Sequence, residues 1–273
     1  MSAVTPTTPV LPEPLPDLSA DLALALELAD LADSIALPLY ESKAFSVDWK
    51  ANRTEVTEAD RAAETAVSDR LAGARPSHAL FGEEHGLRGD AECEWRWVVD
   101  PIDGTSNFVR GIPVWASLVA LVHRDFGPVV GVVSAPALGR RWHGAAGIGA
   151  FVGSQRLSVS TTDSLADAQV SVTFNKGWEK LGLHHALAEL AHLVARPRGF
   201  GDFWQHMLVA EGSIDAAVDA IGVARYDLAA PKIIVEEAGG RFTDRHGAET
   251  LTSKSAISSN HRLHESVLKH LQV

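Results

Sequence analysis

The chain has 273 residues and a formal net charge of −11 at pH 7, with 46% hydrophobic residues and one cysteine. The hydrophobic content supports a sizeable core, whereas the acidic balance and the absence of any Lys/Arg run argue against nucleic acid or an anionic membrane as a partner. No apolar stretch is long enough for a membrane span, and the lone Cys93 excludes an internal disulfide and fits a reducing, cytoplasmic location.

The N-terminal residues 1–18 are interrupted by prolines and contain no basic region. We therefore predict a disordered tail there rather than a secretory signal. Residues 19–273 are expected to form a single domain, because no repeat or flexible linker follows the tail. A soft division is expected between an N-terminal half, residues 19–155, and a C-terminal half, residues 156–273.

The first half is predicted to contain two helices and an antiparallel sheet. A Leu/Ala-rich amphipathic helix is expected from Ser19 to about Pro38, and a second helix follows Thr57, which has capping-box spacing with Asp60. Strands are expected at residues 79–84, 96–100, 115–136 around a turn at 125–127, 140–146 and 156–160.

The second half is predicted to alternate strands with helices. The expected strands are residues 169–174 and 214–219, and the expected helices are residues 178–195, 202–212 and 226–240. Mixed sheets layered with helices predict an α/β or α+β sandwich.

Four carboxylates share one local context, in that each ends a strand or begins a helix. They are Glu83, Asp100, Asp103 and Asp227. Pro101 favours an extended Asp100 and is expected to end its strand, after which the Ile102 carbonyl adds another hard oxygen. Hard oxygen ligands favour Mg²⁺, Mn²⁺ or Ca²⁺ over zinc, and several converging carboxylates imply at least two cations.

The segment Gly104-Thr105-Ser106 follows the aspartate pair and is suited to bind an anion. Glycine permits a close backbone approach, and a helical turn that begins there directs N–H groups at the ligand. Carboxylate-bound metal beside such a turn predicts hydrolysis of a phosphate ester by a metal-activated water. Singly, each element has an ordinary interpretation as a turn, a solvated surface or a helix cap; it is their occurrence together that indicates a site.

The order and spacing of five motifs resemble the inositol monophosphatase family. The motifs are VTEAD (56–60), GEE (82–84), DPIDGTSNF (100–108), GIGAF (147–151) and YDLAAPKIIVEEAGG (226–240). The resemblance implies a layered αβαβα sandwich and Mg²⁺-dependent hydrolysis of a small phosphate monoester with two or three ions, Mn²⁺ being an alternative. It also implies a homodimer.

The resemblance assigns roles to individual positions. The implied metal ligands are Glu83, Asp100, Asp103, Asp227 and the Ile102 carbonyl; the implied phosphate-binding residues are Gly104, Thr105 and Ser106; the implied catalytic residues are Asp60, Thr105 and Glu83. Asp60 and Thr105 would orient the attacking water, although Asp60 could equally cap its helix. Asn52 and Glu55 depart from the Asp and Pro that are common in the family, so the role of Lys50 and a third ion is open.

Two further features resemble the histidinol-phosphate phosphatases of this family, and residues 109–122 resemble their actinobacterial members. These features are Gly201-Asp202-Phe203-Trp204 and Tyr226-Asp227. A carboxylate beside aromatic rings suits a cationic substrate, although Asp202 could instead be a helix N-cap. The resemblance implies a substrate-reading Glu seven residues before the last metal ligand, a position that Ala220 occupies here. Either one residue has been inserted and Asp219 takes the role, which is the preferred interpretation, or the role is lost. The expected substrate-binding set is Asp103, Gly201, Asp202, Trp204, Asp219 and Asp227.

The resulting hypothesis is a Mg²⁺-dependent phosphatase of histidinol phosphate, which belongs to histidine biosynthesis. One alternative is an inositol-1-phosphate or broad sugar phosphatase, and another is a non-catalytic metal- or ligand-binding regulator on the same fold. An aspartyl-phosphate mechanism of the haloacid dehalogenase kind is rejected, because the Asp–Asp spacing is one residue longer than in that motif and lies in mid-chain.

Overall fold

The computed structural model describes residues 17–51 and 53–271. The predicted tail up to residue 16 and the departure at Asn52 lie outside the described residues. Leu18, at the end of that predicted tail, is only 3% exposed and belongs to the main core.

Helices and three sheets alternate in layers within the described residues. The helices are α1 (Ser19–Ser42), α2 (Glu58–Ala74), α3 (Thr105–Arg110), α4 (Gly177–Lys180), α5 (His184–Leu193), α6 (Asp202–Ala210), α7 (Arg225–Glu237) and α8 (His264–Leu271). A two-stranded sheet pairs β1 (Val47–Trp49) with β2 (Glu55–Thr57).

The large sheet has eight strands and the smaller one has five. In spatial order the large sheet contains β10 (Gln155–Arg156), β9 (Gly149–Val152), β8 (Arg140–Ala145), β7 (Gly127–Ala135), β6 (Ala116–His123), β5 (Trp95–Asp103), β3 (Ala79–Gly82) and β4 (Gly86–Arg88). The smaller sheet contains β12 (Arg196–Arg198), β11 (Gln169–Val172), β13 (Ala216–Asp219), β15 (Ala256–Ser259) and β14 (Arg241–Thr243).

Helices cover both faces of each of these sheets. α1 and α2 pack on one face of the large sheet, α6 and α7 lie between the two sheets, and α5 and α8 pack outside the smaller one. Strands β6 and β7 are therefore buried on both faces, which explains why their sequences are almost continuously apolar. The predicted αβαβα sandwich is confirmed.

Proline did not end two elements where the sequence suggested it would. Helix α1 continues past Pro38 to Ser42 and ends at Lys43, whose φ is 55°. Strand β5 continues through Pro101 to Asp103, with a register shift between Asp100 and Asp103. Because β3 stops at Gly82, opposite Val99, the proline lies beyond that pairing and interrupts no ladder with β3.

The segment predicted as one helix over residues 178–195 is instead two helices, α4 and α5. Gly182 lies between them with a φ of 70°, a backbone conformation that breaks the helix and favours glycine.

Candidate metal and phosphate site

Three of the predicted metal ligands converge. One carboxylate oxygen from each of Asp100, Asp103 and Asp227 lies within 4.8 Å of the others. Residues three apart on a regular strand face opposite sides, but the register shift in β5 allows Asp100 and Asp103 to face the same cleft. Asp227 comes from the first turn of α7, where it also accepts the Ala224 N–H at 2.6 Å.

Glu83 lies next to this cluster and is held by Lys50. The Lys50 ammonium is 2.8 Å from Glu83 and 2.6 Å from Glu84, so it lies between the two carboxylates. The turn that carries Glu83 is fixed by the buried Glu64, which accepts the N–H groups of Glu84 and His85. The ion pair with Lys50 could not be anticipated from the sequence.

The charges of this cluster are mutually unfavourable in the protein alone. Burial, followed by the charge of Glu83, raises the pKa of Asp100 well above its usual range, and burial with the charge of Asp202 does the same for Asp103. Burial raises the pKa of Asp227 to about 7. Buried carboxylates that repel one another, with oxygen donors only, fit a hard divalent cation such as Mg²⁺ or Mn²⁺.

The predicted phosphate-binding turn follows directly. Gly104 has a φ of 85°, and a Cβ there would lie 2.9 Å from the Val114 carbonyl, so the position requires glycine. Helix α3 begins at Thr105, and the first N–H groups of a helix have no intrahelical acceptor. The Ser106 hydroxyl accepts a hydrogen bond from Arg110 at 2.6 Å, which leaves its own O–H, together with the backbone N–H, to donate to an anion.

Asp60 contacts both its helix cap and Thr105. Its Oδ2 accepts hydrogen bonds from the N–H of Thr57 at 2.8 Å and from the Thr57 hydroxyl at 2.5 Å, which completes the predicted capping box. Its Oδ1 is 3.2 Å from the Thr105 hydroxyl, which also lies 3.1 Å from the Ile102 carbonyl. The capping role and the catalytic role are therefore geometrically compatible.

A cavity of about 250 Å³ extends from this cluster and is lined by four carboxylates. They are Asp103, Asp202, Asp219 and Asp227. Phe203 also lines the cavity, and its N–H donates to Asp103 Oδ2 at 2.8 Å. Asp219 lies in this wall and Ala220 does not, as required if Asp219 is the substrate-reading acid.

Asp202 is not the N-cap of α6. The cap residue is Gly201, with a φ of 73°, and Asp202 is the first helical residue, with a φ of 48°. Its carboxylate instead accepts a hydrogen bond from Asn107 at 2.9 Å, across 95 residues of sequence. The interpretation of Asp202 as a simple cap is therefore wrong.

The structure does not bring Trp204 or Gly201 into the cavity wall. Trp204 packs edge-on against Phe200, with ring centroids 5.4 Å apart. Sequence reasoning missed Asn107, Gln205 and His206, whose importance depends on contacts with distant carboxylates. The only local signal was that Gln205 and His206 follow the Asp-Phe-Trp motif on the same helix.

Comparison with known proteins places this geometry in context. The sequence profile described as the Inositol monophosphatase family matches residues 17–273. A protein of Streptomyces coelicolor named Histidinol-phosphatase is 44% identical over 265 residues, covering 94% of this chain and 98% of that protein. One of Mycobacterium tuberculosis with the same name is 46% identical over 257 residues, covering 92% and 97%.

A solved structure gives the same picture for the fold. The extragenic suppressor protein SuhB from Bartonella henselae superposes with a TM-score of 0.85 at 28% identity, covering 93% of this chain and 99% of that one.

Within the described residues, no helix is long and apolar enough to cross a bilayer.

Proposed function

Because this chain belongs to the inositol monophosphatase family and is a phosphatase of it, we propose that it hydrolyses histidinol phosphate to histidinol and phosphate, with Mg²⁺ as cofactor. The proposal draws support from the names of the two actinobacterial relatives described above. The reaction belongs to histidine biosynthesis.

The observation that carries the proposal is a pair of acids in the cavity next to the phosphate-binding turn. Asp202 and Asp219 line that cavity, and burial together with the charge of Asp219 raises the pKa of Asp202 to about 6. Histidinol phosphate carries an ammonium and an imidazole, whereas inositol phosphate carries no positive charge. A cationic group between these acids would form charge-assisted hydrogen bonds and would relieve their repulsion.

Both acids are held in place before any substrate binds. Asp219 Oδ2 accepts hydrogen bonds from Gln205 at 2.7 Å and from His206 Nε2 at 2.9 Å. The other ring nitrogen of His206 lies 2.8 Å from the Ser258 hydroxyl, which favours the tautomer with a proton on Nε2. The second oxygen of Asp219 is then available to a ligand, as is that of Asp202, whose Oδ2 is held by Asn107.

The metal would be held by the converging carboxylates. Its ligands would be Glu83, Asp100, Asp103, Asp227 and the Ile102 carbonyl, and two or three ions are expected. When bound, Mg²⁺ or Mn²⁺ would lower the pKa of water and neutralise charge on the phosphate. A third ion at Glu83 would compete with the Lys50 ammonium, which already neutralises that carboxylate.

The remaining chemistry belongs to the residues of the chain. The backbone N–H groups of the turn at Gly104, Thr105 and Ser106 would bind the phosphate oxygens. The Thr105 hydroxyl would orient the attacking water and pass its proton toward Asp60. Burial raises the pKa of Asp60 to about 6, which is close to the value that suits a base at neutral pH.

The test is phosphate release from histidinol phosphate and inositol 1-phosphate, measured side by side with Mg²⁺ and with EDTA. We expect a clear preference for histidinol phosphate and loss of both activities in EDTA. A preference for inositol 1-phosphate would overturn the substrate assignment, and activity that survives EDTA would overturn the metal assignment.

We also infer a homodimer located in the cytoplasm. The family resemblance supports the dimer, and light scattering on the full chain should give about twice the chain mass of 29.2 kDa. A monomer at micromolar concentration would contradict it.

A further inference from the structure

A second and larger cavity, of about 1040 Å³, shares no lining residue with the substrate cavity. Val98 of β5 and Val122 of β6 belong to one wall, and Ile233 of α7 belongs to another. Residues 247–251 and the turn between β6 and β7 complete it. Its size is that of a site for a small organic ligand.

Most titratable side chains around this cavity already have an opposite charge or a hydrogen-bonding partner. The paired groups are Lys232 with Glu236, Arg241 with Glu265, Arg124 with Asp125 and His123 with Glu94. Glu237 accepts the N–H groups of Gly147 and Gly149. Glu249 is exposed to solvent.

Arg96 and Arg225 are the exceptions. Arg96 donates to the Ala91 carbonyl at 2.6 Å, but its Nε–H is buried and has no acceptor within the described residues. The Arg225 guanidinium lies 5.5 Å from the centroid of the Phe81 ring, and neither arginine has a carboxylate partner in the described part of the chain. Both side chains line the same cavity, so two positive charges border one space.

We propose that this cavity is an anion-binding site, separate from the catalytic one, in which Arg96 and Arg225 bind the carboxylate or phosphate group of a small metabolite. A guanidinium presents paired N–H donors that match such oxyanions. An oxyanion held by the guanidinium groups of Arg96 and Arg225 would neutralise the two like charges that line this cavity.

The position of the site links it to the catalytic cluster. Arg96, Val98 and Asp100 alternate along β5 and therefore share one face of the strand. Arg225 lies in the same first turn of α7 as Asp227. A bound anion would thus lie against the two elements that carry the converging carboxylates.

The test is calorimetric titration of the full-length Mg²⁺-loaded enzyme with succinate and, separately, with inorganic phosphate. Phosphate is also a reaction product, so we expect it to occupy the catalytic site and the cavity, whereas succinate should occupy the cavity alone. Binding to the cavity should weaken by about 10-fold or more in Arg96→Gln and in Arg225→Gln. Arg124→Gln is the matched control, because that arginine lines the same cavity but is paired with Asp125.

Each outcome decides the proposal. Loss of cavity binding in Arg96→Gln, with Arg124→Gln unchanged, supports the proposed anion site. Succinate binding to the cavity then indicates a carboxylate ligand. A second phosphate site without succinate binding indicates a phosphorylated ligand. Arg96→Gln is sufficient if Arg225→Gln perturbs α7. Absence of any site beyond the catalytic one, or equal weakening in Arg124→Gln, would overturn the proposal.

Discussion

Asp60 illustrates how one side chain can have a structural and a chemical role. One carboxylate oxygen completes the cap of α2 through Thr57, and the other faces the Thr105 hydroxyl. The cap is formed by the folded chain itself, so it fixes the orientation of the carboxylate before any ligand binds. Local capping therefore supplies the positional precision that proton transfer requires.

Replacing Asp103 by Asn should abolish most turnover while preserving the fold. The substitution removes one of three converging charges, so metal binding should weaken, and kcat/KM should fall by about 100-fold or more. The metal-free variant should melt no lower than the metal-free parent, since a repulsive buried charge has been removed. Asp163→Asn, at an exposed acid, is the control; full activity of Asp103→Asn would show that the ligand assignment is wrong.

Replacing Asp219 by Asn should alter specificity more than chemistry. KM for histidinol phosphate should rise by about 10-fold or more, because a charge-assisted hydrogen bond becomes a neutral one. The ester p-nitrophenyl phosphate, which has no cationic group, should be affected far less. Steady-state kinetics on both substrates, with Asp125→Asn as control, will show this; equal losses on the two substrates would argue against a cation-binding role.

At the scale of elements, the turn after β3 is the part of the site most dependent on close packing. A Cβ added at Gly82 would lie 2.0 Å from Glu64 Oε1, and Glu64 accepts the two N–H groups that fix the Glu83 turn. The position thus tolerates only glycine unless Glu64 moves.

Gly82→Ala should therefore lower the melting temperature and raise the Mg²⁺ concentration needed for half-maximal activity. Gly73→Ala is a matched control, since that glycine lies within α2 with nothing within 4 Å of an added Cβ. The control should be neutral or stabilising by up to about 1 kcal/mol. If Gly82→Ala and Gly73→Ala had the same melting temperature and the same Mg²⁺ requirement, Glu64 would not be the residue that positions Glu83.

At the scale of the whole molecule, His264 joins the last helix to the smaller sheet. Its ring nitrogens lie 2.8 Å from the Thr243 hydroxyl and 2.8 Å from the Ser259 hydroxyl, and the side chain is fully buried. Burial, followed by the charge of Arg241, lowers its pKa from 6.5 to about 4.

Stability should therefore fall as pH decreases from about 6.5 toward 4, because the unfolded chain binds a proton that the folded chain excludes. The contribution of neutral His264 to the free energy of unfolding is fully present above pH 6.5. Its loss should reach on the order of 3 kcal/mol near pH 4. Urea unfolding at pH 7.5, 6 and 5 will measure it. His264→Gln should flatten this dependence, whereas the exposed His184→Gln should not; the same slope in both variants would refute the assignment.

Much of the site could be predicted from short segments, because the relevant physics is local. The capping box at Thr57 and the helix start at Thr105 depend on neighbours within four residues, and the structure reproduces them. The family motifs predict that Asp100, Asp103 and Asp227 form one cluster, and these three carboxylates do converge.

The tertiary structure alone decided which distant partners hold these groups. Lys50 reaches Glu83 across 33 residues, and Asn107 reaches Asp202 across 95. Likewise, β5 continues through Pro101 because β3 has already ended, a circumstance that depends on sheet order rather than on the proline. The preference of a segment for a helix, strand or cap depends on adjacent residues. Contacts between remote carboxylates, amides and ammonium groups, in contrast, form only once the layers have packed.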